Sequence, residues 1–372
     1  MADEPAGQMQ RADTARLPDA ALRGVLPFDM VGRYRIVADA LDAARPYLAS
    51  RLRVLDVGGL ARIRRGEWIL PARLFLPGDD VIVLDQEPCD RAGYVRGNGC
   101  ALAFPDASFD VVISCDALEH VPAADRPSFW CEMIRVARHG IVLTAPFATP
   151  EVIAAEELLI AYIRAELGVE QIQLREHRDN GRPDLVETLA FLEVAGMRVR
   201  AFPSGHVHAW LAMMIAKHYL YSRSDDDELH ERLDAYYTRF LSAHERREPA
   251  YRQVVVAGRA GDAWWDASCA ALEGSIAPET AQAPAWPDLA TWLMPLLGFD
   301  SGGERPLTLA GATAAQLREI ARLRAEVEQR AAQVADLERR AAWLEQQACD
   351  ARNALAAVER GRVMRLLRWL HR

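Results

Sequence analysis

What the chain lacks narrows it first. Its 372 residues hold six cysteines, Cys89, Cys100, Cys115, Cys131, Cys269 and Cys349, and no two of them form a C-x-x-C pair. A thiolate zinc site and a disulfide framework are therefore both unsupported, and the thiols read as reduced thiols of a cytoplasmic protein. There is no apolar run of 18 residues, so no helix is expected to span a membrane. The opening M-A-D-E-P-A-G is acidic and has no apolar centre, so it does not read as a secretory signal. Positive charge is short: 44 Lys and Arg stand against 53 Asp and Glu, a formal net charge of -9, which argues against a nucleic-acid partner. Finally, residues 316–360 lack both proline and glycine.

That last absence marks a coiled coil. With Ile320 as position a, the a series is Ile320, Val327, Val334, Ala341, Ala348 and Leu355, and the d series is Leu323, Arg330, Leu337, Leu344, Ala351 and Val358. Every seam position but Arg330 is apolar, over six heptads flanked by Glu and Arg. Residues 313–360 are thus expected to bind a second copy or another partner. Before them, 261–312 carry Pro278, Pro284, Pro287, Pro295 and Pro306 and read as a linker, with Trp264-Trp265 as candidates to dock on the preceding domain. After them, 361–372 have four arginines and no acid, with Val363, Leu366, Leu367 and Leu370 on one helical face. Such a tail suits peripheral contact with the inner face of a membrane, or the frayed end of the coil. Residues 1–24 read as a flexible start.

Between these, residues 25–260 alternate strand and helix patterns. A helix over Val31–Leu52 leads into R-V-L-D-V-G-G, Arg53–Gly59, a buried strand broken by two glycines. Val81–Leu84 ends in Asp85, Phe109–Ser114 ends in Cys115-Asp116, and Gly140–Ala145 is stopped by Pro146. Helices are expected over 124–137, 150–167, 183–195, 210–221 and 228–243, and further strands over 197–202 and 251–257. This is an α/β fold with a doubly wound parallel sheet. Ligands of such sheets bind at the carboxyl ends of the strands, so Asp56, Asp85 and Asp116 mark the expected site. An acid some thirty residues after a glycine turn suits ribose hydroxyls, but the turn is not G-x-G-x-x-G, which disfavours a nicotinamide or flavin enzyme.

The run from Gly97 to Val121, G-N-G-C-A-L-A-F-P-D-A-S-F-D-V-V-I-S-C-D-A-L-E-H-V, resembles the class I S-adenosylmethionine-dependent methyltransferases. V-L-D-V-G-G and V-L-D-Q precede it in the family's order. The resemblance covers about 31–147, extends to 260 through the later strands, and implies a Rossmann-like fold with a helical cap from 148 onward. It implies that Asp56, Gly58 and Gly59 border the methionine part of the cofactor and that Asp85 accepts from both ribose hydroxyls. Asn98 stands where the family often has an acid for the adenine amino group, with Ala101 and Leu102 walling the ring. Ser114, Cys115 and Asp116 pass along the methionyl end, and Glu119 and His120 face the methyl group or acceptor. The glycine loop departs from the family's G-x-G at Leu60, with Arg62 close by.

His120 is the first candidate for a general base, with Glu119 beside it. The alternative for His120 is a helix-start position without a chemical part. His177, His206 and His208 are candidates for the acceptor side, against a reading as packing or surface histidines. H-x-H at 206–208 has no evident third ligand, so no metal is expected. Arg175, Glu176, Arg178 and Asp179 read as a solvated face. Joined to a coiled coil, the domain resembles bacterial methyltransferases of surface-polysaccharide assembly, which points to O-methylation of a sugar, a glycan end or another small hydroxylated acceptor. Two alternatives stay open: a quinone or lipid methyltransferase, and a non-catalytic scaffold working through its coil.

Overall fold

The computed structural model describes residues 26–64 and 66–277. The heptads of 313–360, the basic tail, the flexible start and most of the linker lie outside the described residues.

A seven-stranded sheet forms the centre. Its strands are β1 (Arg53–Val57), β4 (Asp80–Asp85), β5 (Tyr94–Arg96), β6 (Phe109–Cys115), β7 (Ala137–Ala145), β8 (Met197–His206) and β9 (Ala250–Arg259), in the order β5-β4-β1-β6-β7-β9-β8. A separate two-stranded ribbon pairs β2 (Ala61–Arg62) with β3 (Trp68–Ile69), antiparallel, directly after the glycine turn. The first five sheet strands are parallel, in register from Val54 opposite Val81 and Val111. β9 is antiparallel to both β7 and β8. The parallel sheet expected from sequence is therefore mixed at one edge. The cause lies in the connection: β8 ends at the same end of the sheet as β7, residues 207–249 stay there, and β9 returns from that end.

Alternate side chains face opposite layers, as period two requires. Val54, Val83, Val111, Ile113 and Val142 join α1 (Phe28–Ala44) and α9 (Ala263–Gly274) on one face. Leu55, Val57, Leu84, Val112 and Leu143 join α3 (Arg126–Val136) and α6 (Leu185–Val194) on the other. α1 starts before the expected position and stops at Ala44, before the Arg45–Tyr47 turn that contains Pro46. It buries Met30, Tyr34, Val37 and Leu41, one stripe at helical spacing. Between the ribbon and β4 lies a short helix, α2 (Pro71–Phe75).

The linker expected from 261 opens instead with α9, which extends the folded unit. Its Trp264 and Trp265 are buried, Trp265 donates from Nε1 to the carbonyl of Val256 at 3.1 Å, and Ser268 donates to the carbonyl of Ala40 at 2.7 Å. The aromatic pair does dock.

Two excursions from the ligand end of the sheet build a cap. The first follows β7: α4 (Pro150–Tyr162), whose Thr149 accepts from the amide of Val152 as N-cap, then a π-turn ended by Gly168, then α5 (Ile172–Asp179). The second follows β8: α7 (Val207–Tyr221) and α8 (Asp227–Tyr236). Val152, Leu159, Leu174, Trp210, Leu233 and Tyr251 share a third core between them. α5 was not expected as a helix: its mean hydropathy is low, and only Leu174 and His177 are buried. Among the described residues no helix is long and apolar enough to cross a membrane.

Candidate active site at the ends of the central strands

The chain runs from β1 outward to β4 and β5, and then returns to build β6 and β7 on the other side of β1. This reversal opens a crevice beyond the carboxyl ends of β1 and β6, where open α/β sheets take their ligands. The expected aspartates stand at three neighbouring strand ends.

The glycine turn is fastened from three sides. The amide of Gly58 donates to the carbonyl of Leu84 at 2.7 Å, Ser114 Oγ donates to the carbonyl of Val57 at 2.9 Å, and the amide of Leu60 donates to Asp85 Oδ2 at 3.3 Å. Gly58 has φ +79°, and a Cβ there would stand 2.5 Å from that of Ala117. A Cβ on Gly59 would stand 1.9 Å from Asp56 Oδ2. Both positions need glycine, one for conformation and contact, the other for contact alone.

Asp56 therefore lies behind the turn. It is fully buried, accepts from Tyr34 Oη at 2.8 Å, and has no partner for Oδ1 among the described residues. Burial pushes its carboxyl up to about 7, against the opposing hydrogen bond from Tyr34. This corrects the expectation that Asp56 borders the cofactor: its side chain supports the turn from beneath. The Cys115 thiol is buried in the core on the α1 face, where burial raises it well above its ordinary value, so contact with a ligand falls to its backbone.

Asp85 is placed differently. It is half-buried at the end of β4, with Oδ1 receiving the amides of Gln86 at 2.7 Å and Glu87 at 3.4 Å and Oδ2 that of Leu60 at 3.3 Å. Three amides fix the orientation of the carboxylate, and Oδ2 keeps acceptor capacity for a further donor. Leu102 is buried beyond β5, and its amide is tied to Glu132 Oε2 at 2.6 Å. Ala101 and Asn98 are exposed, and the Asn98 amide oxygen accepts from the amide of Cys100 at 2.9 Å, so it caps its own turn.

Asp116 has φ +52° and is locked between two arginines. Arg252 Nη2 lies 2.7 Å and Arg33 Nη1 3.1 Å from its Oδ2, while Thr144 Oγ1 donates to Oδ1 at 3.0 Å. Burial alone would raise this carboxyl; the two guanidinium groups outweigh it and hold it below the usual range. A non-glycine residue in the left-handed region at a strand end is stored strain of the kind that gathers at functional sites.

The turn Leu118–His120 follows, and α5 closes over it. Glu119 is buried, with Oε2 lacking a partner among the described residues. Burial pushes it up to about 8; the charge of Asp116 adds to this and His177 opposes it. His120 Nδ1 lies 2.8 Å from Glu176 Oε2, and its ring meets that of His177 edge-on at 4.9 Å. His177 is buried with Nδ1 2.9 Å from Glu156 Oε1. Burial would lower His177, but Glu156 and Glu119 prevail and raise it. Of the acceptor-side candidates, then, His177 joins Glu119 and His120. His206 and His208 pair with one another at 5.2 Å. Glu176, expected on a solvated face, meets His120. Sequence reasoning also missed Arg33, Tyr34, Glu156 and Arg252, whose partners stand 21 to 136 residues away.

Comparison with known proteins bears on this crevice. A family model described as "Methyltransferase domain" matches residues 81–144, from β4 through β7. An uncharacterized methyltransferase of Mycobacterium sp. (strain JLS) is 34% identical over 114 residues, which is 28% of this chain and 42% of that protein. The chain thus spans about two fifths of that relative's length. Among solved structures, the YcgJ protein of Bacillus subtilis has a TM-score of 0.35 at 15% identity, over 60% of this chain and 99% of that one. A SAM-dependent methyltransferase from Archaeoglobus fulgidus has a TM-score of 0.35 at 16% identity, over 61% and 94%. S-adenosylmethionine is the cofactor of such a domain. The residues present fit it: Asp85 is held at the strand end with acceptor capacity on Oδ2, the Gly58–Gly59 turn allows close backbone approach, and Leu102 offers an apolar wall. Asn98 fits less well, its oxygen being engaged.

Proposed function

We propose that the chain is an S-adenosylmethionine-dependent methyltransferase that methylates an oxygen of a sugar, a glycan end or a similar small hydroxylated acceptor. The observation that carries the methyltransferase reading is Asp85, half-buried at the end of β4 and fixed by the Gln86, Glu87 and Leu60 amides, with acceptor capacity left on Oδ2. When bound, the cofactor supplies an already activated methyl group, so the protein's task is alignment and the exclusion of water. Asp85 and the glycine turn hold one end of the reaction. Glu119, His120 and His177, at the end of β6 beneath the cap, stand where an acceptor would lose its proton.

The hydroxylated acceptor is favoured by the resemblance to methyltransferases of surface-polysaccharide assembly; a cavity of about 270 Å³, lined by Phe28, Val31, Arg35, Tyr237, Thr238 and Glu245, mixes apolar and hydrogen-bonding groups and admits either kind of acceptor. The expected coiled coil would gather copies or partners around the growing glycan, and the basic tail would hold them at a membrane surface.

Calorimetric titration of S-adenosylmethionine into the full chain tests the reading, with Asp85→Ala beside it. One site lost in the variant is the expected result, followed by methyl transfer to saccharides rather than to quinols. Absence of binding in folded protein would overturn the enzyme reading in favour of the scaffold, and transfer to quinols alone would overturn the acceptor.

A further inference from the structure

Two histidines and a carboxylate converge beneath the cap in a way that an internal ion pair does not require. One ligand atom from each of Glu119, His120 and His177 lies within 4.8 Å of the others, with His177 Nε2 3.9 Å from Glu119 Oε1. We propose that these three side chains form a binding site for one divalent transition-metal cation.

The arrangement around them supports this. Each histidine has its Nδ1 engaged by a carboxylate: His120 by Glu176 at 2.8 Å and His177 by Glu156 at 2.9 Å. Glu156 is itself fixed by Arg182 at 2.6 Å and Tyr251 Oη at 2.9 Å. A carboxylate on one ring nitrogen orients the imidazole and makes its other nitrogen a better ligand, and metal-binding histidines almost always have such a partner. Independently, Glu119 is only 1% exposed, and its Oε2 has no hydrogen-bond partner among the described residues. A buried carboxylate oxygen without a donor is costly, and a cation facing two imidazoles would remove that cost.

Asp116, three residues before Glu119, is no ligand. Its oxygens are taken by Arg252, Arg33 and Thr144. Those arginines cancel its charge and leave the trio as the local donor set. Two imidazoles and one carboxylate, with no thiolate, suit Zn²⁺, Fe²⁺, Mn²⁺ or Co²⁺ rather than Ca²⁺ or Mg²⁺. Ligand atoms about 2.1 Å from a shared ion require the trio to close by roughly an ångström; His177 lies on α5, and Glu119 and His120 on the turn Leu118–His120 that it faces. Three protein ligands leave coordination positions open, and an acceptor oxygen bound there would be polarised as a Lewis acid polarises it. That last role rests on the methyltransferase reading; the site itself does not.

Sequence alone led to the expectation of no metal. The H-x-H histidines, His206 and His208, face each other edge-on with ring centroids 5.2 Å apart and lie outside the trio. The trio needs His177, 57 residues beyond His120, and so has no local signature.

The test is titration of chelator-treated full-length protein with Co²⁺ alone, followed by visible absorption, and with Zn²⁺ alone by calorimetry. One equivalent is expected to bind, with ligand-field bands in the visible. Affinity should fall at least tenfold in Glu119→Gln and in His177→Gln, and about tenfold in Glu176→Gln, whose exposed side chain only orients His120. The double variant His206→Ala/His208→Ala should bind as the parent does. Thermal melting of each variant separates lost binding from lost fold. Asp85→Ala should lose S-adenosylmethionine and keep Co²⁺, so failure of the metal site and failure of the cofactor reading show in different columns. Absence of saturable binding, binding that survives Glu119→Gln in folded protein, or binding that follows His206 and His208 would overturn the proposal and leave the trio an internal ion pair.

Discussion

The two halves of the crevice are built by opposite means. On the β1–β4 side, Asp56, Gly58, Gly59, Leu60 and Asp85 fall within 30 residues and are joined largely by main-chain hydrogen bonds. On the β6 side, His120 meets Glu176, His177 meets Glu156, and Asp116 meets Arg252 and Arg33, with partners brought from four other segments and joined by charged side chains. The first half is rigid because backbone groups close it. The second depends on a cap that must fold before its charges find one another. A change on the first side should therefore act through shape, and one on the second through charge.

Gly59→Ala should show the first effect at its largest. The new Cβ would fall 1.9 Å from Asp56 Oδ2 and 2.3 Å from Cγ, in a carboxylate that cannot retreat into the core. Overpacking of this kind costs about 3 kcal/mol, the upper end of the usual range. Chemical denaturation should register it, and a loss under 1 kcal/mol would mean that the turn is softer than its hydrogen bonds suggest.

Glu156→Gln tests the charged side. The substitution keeps size and removes the charge that Arg182 and His177 share. Removing one partner of a buried pair costs on the order of 3 kcal/mol. Stability and methyl transfer should both fall, while affinity for S-adenosylmethionine stays within twofold, because nothing on the β4 side changes. Loss of cofactor affinity in this variant would show that the two halves are coupled and sink the comparison.

Asp56 offers a smaller effect with a definite sign. Its folded value, about 7, lies above the ordinary carboxyl value. Its contribution to stability is thus complete at acid pH, and is lost as pH rises from about 4 through 7. Asp56→Asn should keep the hydrogen bond from Tyr34 and remove that part of the decline, flattening stability between pH 5 and 8 by about 2 kcal/mol. Glu119, raised in the same sense, leaves some slope behind. An unchanged pH profile in Asp56→Asn would place the Asp56 carboxylate in contact with solvent.

The same contrast decides what the sequence could tell. Strand ends and glycines are written locally: an apolar run, an acid and a turn residue specify β1, β4 and β6 with little help from elsewhere, and Asp85 follows from its place at the end of one of them. The direction of β9 was not written in its residues, because V-V-V pairs equally well either way; it follows from where residues 207–249 settle. α5 escaped notice because a helix with two buried positions has hardly any apolar period. Glu176 and Glu156 look like ordinary surface acids until the cap folds, and their roles exist only through His120 and His177. The side of Asp56 was misjudged for a simpler reason. An acid before two glycines reads as ligand-facing, whereas alternation along β1 turns it under the turn that the ligand would touch.

Leu60 gives the smallest and most pointed test. The family resemblance puts glycine where Leu60 stands, which by itself suggests an obstructed cofactor site. In the structure it is the Leu60 amide that meets Asp85, while its side chain packs, partly buried, against the core on the α1 face. Any residue with an N–H can make that hydrogen bond. Leu60→Gly should therefore leave affinity for S-adenosylmethionine within about threefold, at a stability cost of about 1 kcal/mol for the lost packing. Leu60→Pro, which has no N–H, should release Asp85 and weaken binding by about tenfold, the equivalent of one charged hydrogen bond. The two variants separate the side chain from the backbone at one position. Tighter binding in Leu60→Gly would identify the leucine side chain as an obstruction and make this turn an impaired form of the family's. Equal binding, with loss in the proline variant, would mean that backbone direction alone completes the β1–β4 side.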